Sequence, residues 1–191
     1  MGAKGITKQI VVETAIKCIE ETECGVVSMH EIARRLGVKT PSLYNHIKGN
    51  KELQYEVFQY AIDKFVINQQ CAVADRTGDD AVKAFARAYY RFAAENKGLY
   101  RLIMSIPSEQ DERAKEMAVP LLDTVVTILS DYGLEPRDIA HWQRVFRAML
   151  HGFISEEDLG YFYYYKDVDL AESREIAVQC FLQGLHALCK K

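Results

Sequence analysis

Thr40, Pro41, Ser42 and Asn45 fall within six consecutive residues, and each type suits the reading of a DNA base edge. Thr and Ser hydroxyls bond to several bases, an Asn carboxamide pairs bidentately with adenine, and the apolar atoms of Pro can meet a thymine methyl. Tyr44 and His46 lie on the same exposed side. Around them stand Arg34, Arg35, Lys39, Lys48 and Lys51, with Glu31 the one acid in residues 28–51, so five cations against one anion leave +4 there. The whole chain carries −3. Affinity for phosphate follows the charge presented locally, so the overall sign does not exclude nucleic acid. His30 and Arg34, just upstream, are placed to reach the sugar-phosphate backbone or an edge base, and Lys48 is a further cation candidate. A solvated basic face is the plainer alternative for the charges.

Such residues read bases only if a scaffold holds them. The segment SMHEIARRLGVKTPSLYNHIKGNK, residues 28–51, reads as two short helices around a tight turn, a helix-turn-helix that sets its second helix in the major groove. Ser28 and Glu31 form S-x-x-E, the pattern of a capping box. Ile32, Ala33 and Leu36 line the inner face, and Gly37 is placed to stop the helix in a left-handed conformation. Thr40 reads as the N-cap of the next helix and Pro41 as its first residue. Leu43 and Ile47, four apart, face inward. Asn50 reads as the cap of a long fourth helix with the stripe Leu53, Val57, Ala61 and Phe65.

The remainder is also helical in period. Val11, Val12, Ala15, Ile16 and Ile19 stripe the first helix. After the polar run 75–80, read as a boundary, come a helix carrying Val82, Phe85, Ala86, Tyr89, Phe92 and Ala93, and a shorter one from Asn96 to about Ser105. Ser108–Lys115 reads as a charged loop. Met117 to Leu129 forms a helix that Pro120 kinks or starts. Ile139, Trp142, Phe146, Met149 and Phe153 mark a long helix, and Ala177, Phe181, Leu185 and Leu188 the last, with Gly184 allowing a neighbour close. The expected fold is all-α with about nine helices: a helix-turn-helix domain over 1–52 and a ligand-binding and dimerisation domain over 53–191.

The 191 residues are 49% hydrophobic with 4 Pro and 11 Gly, too apolar for disorder and too poor in turn residues for an all-β fold. No apolar run has membrane-spanning length, and the N-terminus lacks a signal-peptide core, so a soluble cytoplasmic protein is expected. Cys18, Cys24, Cys71, Cys180 and Cys189 are odd in number and form no C-x-x-C, which argues against a disulfide framework. Apolar neighbours suggest that Cys18 and Cys180 are buried. His186 and Cys189 lie three apart without a second pair, so no metal is expected. No phosphate-binding, nucleophile-elbow or zinc-protease motif occurs, so neither an enzyme nor a cofactor is expected.

GVKTPSLYNHIKGNKEL, residues 37–53, resembles the N-terminal signature of the TetR family of bacterial transcriptional regulators. The residues that carry the likeness are Gly37, Val38, Leu43, Tyr44, His46, Ile47 and Lys51. Lys39-Thr40-Pro41 departs from the Ser and small residues of many members, which alters the bases read. Trp142, His151-Gly152-Phe153, Leu159, Gly160 and Phe162 resemble the W…HG pattern of one C-terminal subclass. The resemblance implies phosphate contacts for Tyr44, His46 and Lys51. It also implies dimerisation through the two long C-terminal helices, with Trp142, Phe146, Phe153, Phe181, Gly184 and Leu188 as candidates.

A regulator of this kind is expected to bind a palindromic operator on double-stranded DNA as a homodimer, to act as a repressor, and to be released by a small hydrophobic or aromatic effector. Phe85, Tyr89, Phe92, Tyr100, Met104, Trp142, Phe146, Met149 and Phe162 form the apolar candidate lining, with Gln143 and His151 among its polar groups. An aromatic stripe at helical spacing is more often core than pocket. A protein-interaction adaptor that keeps the helix-turn-helix without binding DNA is the alternative. Tyr161–Tyr165 reads as an aromatic loop, either a lid or a contact surface.

Overall fold

The computed structural model describes residues 5–105 and 111–189, with side chains through Leu188. Among these residues there are ten α-helical segments, one 3-10 turn and no strand. The helices are α1 (Lys8–Thr22), α2 (Met29–Leu36), α3 (Thr40–Leu43), α4 (Asn50–Val73), α5 (Gly78–Glu95), α6 (Lys97–Met104), α7 (Glu112–Ala118), α8 (Pro120–Ser130), α9 (Pro136–Asp158) and α10 (Leu170–Cys189). The about nine helices expected are present, with the seventh divided at Pro120 into α7 and α8. Pro lacks the N–H that would continue a helix, and it is favoured at a first turn. The loop expected over 108–115 is helical from Glu112 onward, because Asp111 caps α7 by accepting from Ala114 N–H at 3.2 Å. Residues 106–110, Pro107 among them, lie outside the described residues.

The chain forms two compact units, Met1–Phe65 with Ala94–Val119, and Val66–Ala93 with Pro120–Lys191. The polar run 75–80 expected to be a boundary is the α4–α5 turn inside the second unit.

The first unit buries the apolar stripes of α1, α2, α3 and the start of α4 around Ile19, Ile32, Leu43, Ile47, Leu53 and Val57, each within about 1% of full burial. Such burial contributes roughly 1.5–3 kcal/mol per side chain. Gly98 brings α6 against α1: a Cβ there would stand 2.2 Å from the Ile19 carbonyl oxygen, so only glycine allows this approach. Ion pairs from Lys8 to Glu56 (2.7 Å) and from Lys64 to Glu20 (3.1 Å) tie α1 to α4 at the surface.

The second unit packs α8 on α9 and α9 on α10. Phe146 is its centre, stacked on Phe181 at 4.4 Å and tilted against Phe85 at 5.7 Å. Trp142 meets Phe181 edge-on at 5.2 Å and fills the space left by Gly184, where a Cβ would stand 2.8 Å from the indole Cη2. The neighbour for which Gly184 makes room is therefore a residue of the same chain. Gly152 has nothing within 4 Å of a Cβ position, so it does not mediate the α9–α10 packing in this way. Cys18 is buried as expected, but Cys180 is exposed, on the outer face of α10.

Candidate nucleic-acid interface

Local backbone chemistry builds the two helices. The N–H of Glu31 donates to Ser28 Oγ at 3.2 Å, so Ser28 caps α2. The reciprocal half of the capping box is replaced, because the Glu31 carboxylate binds Arg34 through two bonds of 2.7 and 2.8 Å and Arg35 at 2.8 Å. Those two guanidiniums, Arg34 first, hold the Glu31 carboxyl down to about 2. Gly37 ends α2 at φ 68°, with its N–H on the Arg34 carbonyl and the Val38 N–H on the Ala33 carbonyl, the double bond pattern of a Schellman stop.

α3 starts at Thr40, with Lys39 flanking it and no side-chain capping bond, so Thr40 is not the N-cap. Beyond Leu43 the chain continues as turns, with the N–H groups of His46 and Ile47 both on the Leu43 carbonyl at 2.9 and 3.0 Å. Leu43 and Ile47 are buried beneath this segment. Pro41, Ser42, Tyr44, Asn45 and Lys48 are exposed around it, with Tyr44 at 54%, while Thr40 and His46 are half-buried. Lys39, His30 and Arg34 are exposed as well. The candidate base-reading and backbone residues thus share one short, anchored element and its approaches.

Asn50 does not act as the cap expected for α4. Its Oδ1 accepts the N–H of Met29 at 3.2 Å, an otherwise unpaired donor at the start of α2. One side chain therefore fixes the beginning of α4 to the beginning of α2. The signal was available in the sequence only as a capping residue type, which does not say which helix it serves.

The cations are less free than their count suggests. Arg35 also binds Glu21, and Lys51 lies 3.3 Å from Asp111. Asp111 also accepts the Tyr55 hydroxyl at 2.7 and 2.9 Å, and the Arg113 guanidinium lies 4.2 Å from the Tyr55 ring centre. Hydrogen bonding to Tyr55 first, then burial opposing it, and then the Ala114 N–H and Lys51 hold the Asp111 carboxyl below its usual range. Lys39 makes no ion pair among the described residues, whereas Lys48 lies beside Glu52, whose carboxylate accepts the Lys48 N–H at 2.8 Å and is held below its usual range first by that bond. Asp111 is not legible in the sequence as a partner of Lys51, because the charged run Ser108–Lys115 reads as loop.

Comparison with known proteins decides the family. The description "Tetracyclin repressor-like, C-terminal domain" matches residues 82–181. The "Uncharacterized HTH-type transcriptional regulator YobS" of Bacillus subtilis (strain 168) is 30% identical over 185 residues, covering 95% of this chain and 93% of that one. The chain belongs to the TetR family of transcriptional regulators. Solved structures share the fold. A protein of unknown function from Rhodococcus sp. RHA1 superposes with a TM-score of 0.79 at 19% identity, over 94% of this chain and 95% of that one. ActR from Streptomyces coelicolor, in complex with (S)-DNPA, gives 0.66 at 17% identity, over 98% and 99%.

In this TetR-family chain the candidate effector residues are drawn from both units. Tyr100 and Met104 lie on α6 in the first unit, and the others in the second. Phe85, Tyr89, Phe92 and Phe146 are buried, and the Phe85–Phe146 contact makes those two rings part of the core. Trp142, Gln143, Met149 and His151 are half-buried, and Phe162 is 37% exposed on the 3-10 turn Tyr161–Tyr164. The buried Gln143 Oε1 and Tyr90 hydroxyl have no hydrogen-bond partner among the described residues, and burial pushes the Tyr90 phenol up to about 12. Burial, then Arg147, lowers the affinity of His151 for its proton.

Among the dimerisation candidates, Phe146 and Phe181 are stacked inside the unit and offer almost no surface to a partner. Trp142, Phe153, Gly184 and Leu188 are half-buried. Exposed apolar residues on these helices include Val145 and Ala148 on α9 and Ile176, Cys180 and Ala187 on α10. No helix of the described residues is long and apolar enough to cross a membrane.

Proposed function

We propose that this TetR-family regulator is a repressor that binds a palindromic operator as a homodimer and is released by a small hydrophobic or aromatic molecule. The observation that carries the reading is the exposed set Pro41, Ser42, Tyr44 and Asn45, held over buried Leu43 and Ile47 and flanked by the exposed cations Lys39 and Lys48. Thr40, Pro41, Ser42 and Asn45 read base edges; Tyr44, His46, Lys48 and Lys51 hold phosphates; His30, Arg34 and Lys39 add contacts at the margin. Two such units, about 34–36 Å apart, read two half-sites. The outward faces of α9 and α10 pair across the two-fold axis as a four-helix bundle.

ActR, with which the fold is shared, was solved with a bound small molecule, and this supports a ligand role for the domain over 53–191. The effector binds one conformer better, shifts α4, and alters the spacing of the recognition helices. The coupling is then on the order of 1–3 kcal/mol. The test is selection of bound duplexes from a random pool by the purified dimer at near-physiological salt. An enriched palindrome is expected, and no enrichment by a folded, ligand-free dimer overturns the reading.

A further inference from the structure

The first unit holds a cavity of about 240 Å³ between the α1–α2 turn, the start of α4, the end of α6 and Asp111. Val26, Phe58 and Leu102 supply its apolar wall, and Gln54, Ser105 and Asp111 its polar one. A mostly apolar cavity with a few fixed polar groups is the ordinary form of a small-molecule site. The walls are tied to one another. The α1–α2 turn is fixed to α6 by the Arg101 guanidinium, which donates to the Glu23 carbonyl at 2.7 Å. Gly25 brings the same turn close, since a Cβ there would stand 3.1 Å from the Leu102 nitrogen. The Tyr55 hydroxyl, donating to the Asp111 carboxylate, fixes α4 to the cap of α7.

Asp111 and Tyr55 decide the class of ligand. A carboxylate beside an aromatic face is an arrangement that recognises an ammonium group. The chain itself seats one there: Lys51 Nζ lies 3.3 Å from Asp111 Oδ2 and 5.5 Å from the Tyr55 ring centre. Lys51 holds that place loosely. Its distance exceeds the roughly 2.7–2.9 Å of a charge-assisted bond. Its side chain is 74% exposed, against 17% for that of Asp111. Tyr55 and the Ala114 N–H keep the acid in the wall, whereas the lysine stem is free to swing into water. An anionic ligand meets the Asp111 carboxylate and is repelled. An amine meets acceptors: Asp111, the Gln54 carboxamide oxygen, and Ser105 Oγ, whose own hydrogen goes to the Leu102 carbonyl at 2.8 Å. Three acceptors match the three N–H donors of a primary ammonium.

We propose that this cavity binds a small primary amine with an apolar or aromatic body, its ammonium displacing Lys51 from Asp111 and its body lying against Val26, Phe58 and Leu102. The released Lys51 is then available to an operator phosphate. That consequence rests on the regulator reading above. It is opposite in sense to the releasing effector, because the amine strengthens operator binding.

The probe is phenethylamine, titrated by calorimetry into the purified full chain at neutral pH, with phenylacetate as a similar body of opposite charge. The variants are Asp111→Asn, Gln54→Phe and Lys51→Met, each checked for helicity by circular dichroism. Asn keeps the capping acceptor of α7, and Gln54 and Lys51 are exposed, so folding is retained. Saturable binding of phenethylamine by the wild type is expected. Asp111→Asn and Gln54→Phe each weaken it by about tenfold or more, and Lys51→Met, which removes the competitor, tightens it severalfold. In fluorescence anisotropy with the selected duplex, phenethylamine raises wild-type operator affinity by about fivefold or more and leaves that of Asp111→Asn unchanged. No saturable binding below about 10 mM, equal binding by wild type and Asp111→Asn, or equal binding of phenylacetate overturns the site. Weaker binding in Lys51→Met, or an operator affinity indifferent to the amine, overturns the displacement of Lys51. A folded dimer that binds no duplex overturns the regulator reading instead, and calorimetry still decides the site.

Discussion

Gly98→Ala is the substitution whose outcome the structure determines most sharply. Glycine in a helix costs up to roughly 1 kcal/mol relative to alanine, so helix propensity alone makes this change in the first turn of α6 stabilising by at most that amount. At Gly98 the new Cβ would lie 2.2 Å from the Ile19 carbonyl oxygen, 2.9 Å from its carbonyl carbon and 2.9 Å from its Cγ2. The two nearest atoms are backbone and cannot rotate away, so α6 must retreat from α1 by about 1 Å, a gap that forfeits a quarter to a half of the dispersion energy across the contact. The residues that lose it include Ile19, Leu99 and Ile103, all essentially fully buried. Overpacking typically costs about 1–3 kcal/mol, and a backbone clash belongs at the upper end. Subtracting the propensity gain leaves a net destabilisation of about 2 kcal/mol, or roughly 4–8 °C in melting temperature for a chain of this size. Thermal unfolding followed by circular dichroism at fixed protein concentration measures it. An unchanged or higher melting temperature would refute the packing argument, because the favourable propensity would then have gone unopposed.

Asp111→Asn removes the carboxylate that occupies Lys51; tighter operator binding is expected, with the slope of log affinity against log salt steeper by up to about 0.9, read by fluorescence anisotropy across a salt series. Unchanged affinity and slope would mean that Asp111 does not compete with phosphate. Ser28→Ala and Asn50→Ala each strip an acceptor from the start of α2 and should cost about 1 kcal/mol apiece in urea unfolding, with Asn50→Ala also weakening DNA binding because it loosens α4 from α2. In the second unit, Asp79 accepts from the Tyr132 hydroxyl at 2.7 Å and lies 2.9 Å from His186 Nε2. Burial opposes its ionisation, but those two bonds outweigh burial and hold its carboxyl below the usual range. Its contribution is therefore complete above the unfolded value of about 3.9 and is lost as pH falls through the lower folded value. Urea midpoints measured from pH 5 downward should fall more steeply for the wild type than for Asp79→Asn, and parallel curves would contradict this.

Much of the first unit was legible because its determinants are local. Ser28 capping Glu31, Gly37 closing α2, and Leu43 and Ile47 anchoring the recognition segment each involve residues at most five apart, so spacing and residue type suffice. Period likewise identified the apolar faces of α4, α5, α9 and α10. What period could not supply is the identity of the surface that covers each face. Phe146 and Phe181 look alike as core or interface residues, and only the packed chain stacks them on one another. Trp142 and Gly184 are apart in sequence, and their fit becomes visible only when α9 lies on α10.

What the sequence by itself determined is the all-α class, the helix-turn-helix with its exposed base-reading candidates, and the family. Helix signals and turn chemistry act within a few residues, and the motif keeps its order along the chain. Tertiary structure alone decided that Asn50 serves α2, that Asp111 holds Lys51, that Cys180 faces outward, and that Tyr100 and Met104 belong to a different unit from the other aromatic candidates. Each of these outcomes depends on a partner far away in sequence. A side chain's type limits which bonds it can make, and only the folded path of the chain brings a particular partner within reach.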